Sequence, residues 1–243
     1  MTTTQYGPVA VDAAVDTAVD EVVARLRALR ESLPRHDGVA VFTEVCLSVA
    51  LTVRRHLVGG LLPRPRATAG LAAAFARRYL AAVDLDASGA HAPACWRPLF
   101  LARHHPGVRP VQFALAGFNA HIGYDLALAV VDTARLHGCE PADLQGAFDR
   151  LGDILVGLEE RVHEDLMPGP DPLDVADPLT HLVASWSMDR ARDAAWSAAR
   201  LLWSVRRLPE LAEEFAHRLD TGTGLVGRCL LTPLGHCPRP RTA

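Results

Sequence analysis

Val111-Gln-Phe-Ala-Leu-Ala-Gly-Phe-Asn-Ala-His-Ile-Gly-Tyr-Asp-Leu-Ala-Leu-Ala-Val-Val131 is the longest apolar stretch in the chain, and it holds the only asparagine, Asn119, close to His121 and Asp125. Its length raises the question of a membrane span, but Gln112, Asn119, His121 and Asp125 would each be costly to insert into lipid. In a protein interior the same side chains need hydrogen-bond partners to offset their desolvation. The stretch therefore predicts a long, buried central helix that ends near Gly138 and carries interior polar contacts.

Working outward, apolar residues recur at helical spacing through Val15, Val19, Val22, Val23, Leu26, Leu29 and Leu33, with acids early and arginines late, as the helix dipole prefers. Asp37-Gly38 opens a second helical run, Val39 to Leu57, which Gly59-Gly60 and Pro63 end, and Ala69 to Val83 makes a third. Between Asp84 and Pro110 the prolines forbid a long helix, though Trp96 to Arg103 has room for two turns. Pro141 is placed to start a helix from Ala142 to about Asp165, and Met167 to Pro178, with four prolines in twelve residues, reads as a loop. Leu179 to Arg207 and Pro209 to Leu219 read as helices, followed by a tail rich in Gly and Pro. The expectation is an all-α, single-domain multi-helix bundle over residues 1–243, with 1–8 and 233–243 flexible.

Composition narrows the chemistry. A net charge of −3 gives no electrostatic case for nucleic acid. Every positive side chain is arginine, so neither a Schiff-base lysine nor a phosphate-loop lysine is available. Five cysteines without a C-x-x-C pair point away from a disulfide framework or a cysteine zinc site, and the N-terminus does not read as a secretory signal. Both favour a cytoplasmic protein with reduced thiols. Gly222-Thr-Gly-Leu-Val-Gly227 matches G-x-G-x-x-G in letters alone, since no strand precedes it, and it is expected to be a chance match in a flexible tail.

At 100° per residue His121, Asp125 and Asp132 fall within roughly 40° of one another, while Gln112 and Asn119 share nearly the opposite side. A His and an Asp at i, i+4 can form an acid–base pair or ligate one divalent metal ion, or simply fasten helices through their hydrogen bond. Further ligands would have to come from Glu44, His104, His105, His163, Asp165 or His181. For Glu44 and the pair His104-His105 a solvated position is the plainer reading. A second constellation lies in Trp186-Ser-Met-Asp-Arg-Ala-Arg-Asp-Ala-Ala-Trp196, where Trp186, Arg190, Asp193, Ser197 and Arg200 form one stripe and Arg192, Trp196, Trp203 and Arg207 another. Arg190 and Trp186 could line a pocket for an anionic group, or pack as a cation–π pair, and packing is favoured for Trp196 and Trp203.

The run Gln112 to Leu126, with Phe75-Ala-Arg-Arg-Tyr-Leu80, Trp96-Arg-Pro-Leu-Phe100 and Trp186 to Trp196, resembles an actinobacterial all-helical family known only as a domain of unknown function. The resemblance spans most of Val39 to Pro233 and implies that Asn119, His121, Asp125, Trp186 and Arg190 belong together. Phe42-Thr-Glu-Val departs from that family's Phe-Asn pattern, which argues against a shared role for Thr43 or Glu44. A more distant similarity, to helical zinc phospholipases C and single-strand nucleases, is limited to the His-x-x-x-Asp turn.

The functional expectation is an enzyme acting on a small molecule in a buried polar pocket. His121, Asp125 and Asn119 would be its catalytic groups, and Arg190, Trp186, Gln112 and Tyr124 its binding groups. Hydrolysis assisted by a metal on His121 and Asp125 is the leading chemistry. A metal-free cyclase or isomerase is the first alternative, and a non-catalytic ligand-binding or interaction protein the second.

Overall fold

The computed structural model describes residues 8–62, 64–166 and 186–233. Helix α1 (Pro8–Ser32) lies across α2 (Gly38–Val58) and α3 (Pro65–Ala87), and the short α4 (Arg97–Ala102) follows the proline-rich connection. The apolar stretch forms α5 (Pro110–Ala120), a π-helical turn (His121–Leu126) and α6 (Ala127–His137) as one continuous rod. A 3₁₀ turn (Pro141–Leu144) leads into α7 (Gln145–Leu166). Then α8 (Met188–Ser204) packs on α6 and the π turn, and α9 (Pro209–Leu230) runs along α5. Among the described residues there is no strand, as the all-helical reading expects.

The helix limits have local causes. Asp37 caps α2 by accepting the Val39 N–H at 2.8 Å, and its carboxylate, buried to 0% exposure, also receives Arg103 Nε and Nη2 at 2.9 and 2.6 Å. Pro65, Pro110 and Pro209 occupy first turns, where a missing N–H costs nothing. Gly138 ends the central rod in the left-handed region at φ 61°, which a residue with a Cβ rarely adopts. Pro110–His137 is long and apolar enough to cross a membrane by length and composition, but 78% of its most apolar window is buried inside the structure.

Three expectations need correction. The chain from Pro209 continues helical to Leu230 instead of stopping at Leu219, so Gly222, Gly224 and Gly227 lie in α9 and not in a flexible tail. Gly224 serves close approach: a Cβ there would strike the Ala94 carbonyl, so α9 rests directly on the backbone ahead of α4. The second correction concerns Asp132, which is exposed and pairs with Arg78 instead of joining His121 and Asp125. A π turn takes about one residue more than an α turn, so the angular positions assumed beyond Leu126 do not hold. The third concerns the helix expected over Leu179–Arg207: it does not run through Trp186 and Ser187, because Ser187 is extended and caps α8 at Met188 by accepting the Arg190 N–H, so Trp186 is not on a helical stripe with Arg190. The expected Met167–Pro178 loop, residues 179–185 and the terminal segments, apart from Pro8 and Pro233, lie outside the described residues.

Gly117 allows α2 and α5 to meet, because the buried Phe42 ring lies where its Cβ would stand. Gly117→Ala should therefore lower stability by about 1–3 kcal/mol through overpacking, despite the roughly 1 kcal/mol that alanine gains in helix propensity. Urea unfolding measures the difference, and unchanged or higher stability would show that Phe42 can move aside.

Candidate functional site

The π turn sets the site. It presents His121 and Asp125 on one side of the rod, with His121 Nδ1 2.9 Å from Asp125 Oδ2. The same oxygen accepts the indole N–H of Trp96 at 3.0 Å. A carboxylate can only accept, so this contact makes Nδ1 the protonated imidazole nitrogen and leaves a lone pair on Nε2. Among the described residues no partner hydrogen bonds Nε2.

Aromatic rings enclose the imidazole. Phe75 stacks on it with centroids 3.6 Å apart and planes 9° from parallel, while Phe42, Trp96 and Tyr79 stand at 5.9, 5.8 and 6.0 Å. Such burial disfavours the imidazolium and lowers the His121 pKa below its ordinary value, against the opposing pull of the Asp125 hydrogen bond and charge. His121 is thus a neutral base at pH 7. It lines a narrow cavity of about 30 Å³ between α1, α2, α3 and α7, whose other walls are aliphatic and aromatic apart from the Cys46 thiol. Burial also pushes the Cys46 pKa up, so that sulfur stays protonated and is a poor nucleophile.

The supports reach back through the fold. Trp96 sits in the turn before α4, and the α9 residue Asp220 holds that turn by accepting the Ala94 and Cys95 N–H groups at 2.8 and 2.9 Å. Tyr79 is held by Thr43 at 2.7 Å and packs on Trp96 at 4.9 Å.

The remaining expected site residues are placed elsewhere. Gln112 and Asn119 do share the opposite face of the rod, where α9 takes both. Gln112 donates to the Leu230 and Thr232 carbonyls at 2.8 and 2.9 Å and accepts the Arg109 N–H, and Asn119 donates to the Thr223 carbonyl at 2.9 Å. They fasten helices, and the structure does not bring them to His121. Tyr124 is half-buried, its pKa pushed up to about 12 by burial and then by the Asp220 carboxylate. Trp186 is half-buried and stacks on Phe118 at 5.7 Å, so it backs the cavity wall from one ring away. Arg190 is exposed, as are Asp193, Ser197 and Arg200, which makes their stripe a solvent face. Arg192 lies over Phe148 at 5.6 Å, and Trp196 packs on that ring at 4.8 Å.

Glu44 is exposed and pairs with Arg30 at 2.9 Å, His104 is 67% exposed beside Asp37, and His105 accepts the Gly107 N–H. Among the described residues no three His, Cys, Asp or Glu side chains converge as a metal site. The side chains of His163 and Asp165, and all of His181, lie outside the described residues.

A family model described as "Family of unknown function (DUF5995)" matches residues 19–233. The chain belongs to this family. The DUF5995 match begins at Val19, the first α1 residue on the cavity, and ends just past Thr232, the last backbone partner of Gln112. It therefore takes in every element that builds the site. No curated protein and no solved structure matches the chain.

The pH dependence of folding tests the buried neutral imidazole. Between the lowered folded pKa and about 6.5 the unfolded chain binds the additional proton, so stability rises with pH in that window and is lost as pH falls through it. His121→Gln should flatten this loss, with a limiting difference in slope of about 1.4 kcal/mol per pH unit. Urea unfolding of both proteins from pH 5 to 8 reads it, and parallel profiles would mean that His121 titrates normally.

Proposed function

We propose that this protein is an enzyme that moves a proton within a small, uncharged, largely apolar molecule, with His121 as the base and Asp125 holding its tautomer. The observation that carries this reading is the 2.9 Å contact of Nδ1 with Asp125 at the wall of an apolar cavity, which leaves an unprotonated Nε2 for the substrate. Asp125 plays the orienting part and Trp96 steadies it from behind. A π turn at this position supports the reading, since such turns occur often at functional sites.

Among the chemistries expected from the sequence, the metal-free isomerase or cyclase class is favoured over hydrolysis. The described residues lining the cavity offer no side-chain donor besides the weak Cys46 thiol, since the N–H of His121 is given to Asp125, and main-chain N–H groups inside helices are spent on helix bonds. Acyl transfer needs donors aimed at a developing oxyanion. A proton shift can run on one base: Nε2 takes a proton from one carbon or hydroxyl, which leaves an imidazolium held by the Asp125 carboxylate beside a transient substrate anion, and returns the proton at another atom, restoring the neutral imidazole and a neutral product. One metal ion shared by His121 and Asp125 is less supported, because Nδ1 and Asp125 Oδ2 are engaged with each other and no three His, Cys, Asp or Glu side chains converge among the described residues. Unpaired thiols at Cys46, Cys95, Cys139 and Cys229 suit a reducing, cytoplasmic setting.

Solvent isotope exchange tests the proposal without a known substrate. Wild-type protein in D₂O, incubated with a small-molecule cell extract, should bring deuterium into a neutral compound detected by mass spectrometry. His121→Gln should lower that rate about 10²–10⁴-fold, and Trp96→Phe, which removes the outer hydrogen bond together with part of the buried indole packing, should fall between. Equal labelling by wild type and His121→Gln, or none by either, would remove the general-base role.

A further inference from the structure

Two stretches of the sequence, Ala87 to Tyr124 and Thr221 to Ala243, contain no acidic residue, in a chain that carries 28 acids against 25 arginines. The fold sets the described parts of these stretches side by side. A Cβ on Gly224 would strike the Ala94 carbonyl, one on Gly227 would stand 3.5 Å from Pro98 Cγ, and one on Gly107 would stand 3.2 Å from Pro233. The chain neighbours of the Pro98–Gly227 contact are Arg97 and Arg228. Both are exposed, and among the described residues neither forms an ion pair. Carboxylates that do reach these segments are engaged. Asp37 is buried beneath Arg103, Asp86 lies 3.9 Å from the same guanidinium, and Asp220 accepts the Ala94 and Cys95 N–H groups. The contact between α4 and α9 is thus a positive spot on a protein of net charge −3.

An exposed leucine accompanies each arginine. Arg97 and Leu101 are four residues apart on α4 and so share a side of that helix, and Leu101 is 88% exposed. Arg228 and Leu225 are three apart on α9, and Leu225 is 56% exposed. Pro98, Leu99 and Phe100 hold α4 to the core, so the side bearing Arg97 and Leu101 is not needed for packing. Unpaired arginines beside exposed leucines suit the boundary of an anionic bilayer, where guanidinium meets phosphate and the leucine enters the acyl region. Nucleic acid or an acidic protein surface would answer the charge and leave the leucines against polar groups.

We propose that the face made by α4 and the C-terminal half of α9 docks on a bilayer that contains anionic lipid, with Arg97 and Arg228 at the headgroup phosphates and Leu101 and Leu225 in the interface beneath them. The docking is peripheral and reversible, because two arginines and two leucines make a weaker anchor than a cluster of about four to eight basic residues. It lies apart from the cavity and does not depend on the role of His121.

Flotation of the full chain with vesicles of phosphatidylcholine, alone or with one third phosphatidylserine, tests the proposal. Partitioning should be at least about tenfold stronger on the mixed vesicles and should fall in high salt. Arg97→Gln and Arg228→Gln should each weaken it about fivefold, and Leu101→Ser about threefold or more. Leu136→Ser, which changes an exposed leucine of α6, and His121→Gln should bind as the wild type does. The arginine and leucine sites are exposed, so urea midpoints should stay where they are. Absence of binding to the mixed vesicles, equal binding to both compositions, or full binding by the Arg97→Gln/Arg228→Gln double variant would overturn the proposal. Binding that needs the arginines but not Leu101, and that heparin reproduces with equal affinity, would replace the bilayer with a soluble polyanion.

Discussion

Asp125 Oδ2 accepts two hydrogen bonds, from the imidazole of His121 and the indole of Trp96, and the rest of the site depends on that one oxygen. A carboxylate at 2% exposure is stable only when its lone pairs are used, and here the two donors come from the same helical rod and from a turn twenty-nine residues earlier. The constraint passes outward. Trp96 can reach Asp125 because Asp220 of α9 holds the turn that carries it, and α9 can lie that close because Gly224 presents no Cβ to the Ala94 carbonyl. Three segments far apart in the chain thus converge on the tautomer of one histidine.

The surroundings that make His121 neutral are the ones that would make it selective. Phe75 on its face and Phe42, Tyr79 and Trp96 about it exclude water, which disfavours the cation and leaves the Nε2 lone pair with little competition. The same rings and the aliphatic walls beyond them offer almost nothing to a charged molecule. Within that cavity the one nitrogen of His121 has no charged neighbour on the described walls.

The second polar cluster has a mechanical role. Gln112 satisfies two carbonyls at the C-terminal end of α9 and the Arg109 N–H ahead of α5, and Asn119 meets α9 midway along. Each bond tied up in this way locks the rod against the helix that sets Trp96. The two polar faces of the rod are coupled through α9, one bonding it directly and the other depending on the turn it supports.

Much of the fold was legible in the residues. Apolar periodicity marked the described helices, proline and glycine marked the limits of most of them but not the start of α8 or the end of α9, and four polar residues in an apolar run marked where interior contacts had to be. The 100° rule separated Gln112 and Asn119 from His121 and Asp125 correctly, because α5 is a regular helix up to Ala120. It failed for Asp132, because a π turn intervenes and main-chain hydrogen bonding of that kind leaves no simple trace in residue order. Nor could spacing say which polar face meets a cavity and which meets another helix. That choice was made by packing: α9 came close to one face where Gly224 lacks a Cβ, while the other was left to Phe75, Phe42, Trp96 and the cavity beside α2. By itself the sequence determined an all-helical chain with a buried, polar-bearing central rod, since burial and periodicity are local properties. Only the tertiary structure decided that Asn119 is a fastener and that His121 is a neutral base in an apolar cavity, because both depend on groups brought together from distant segments.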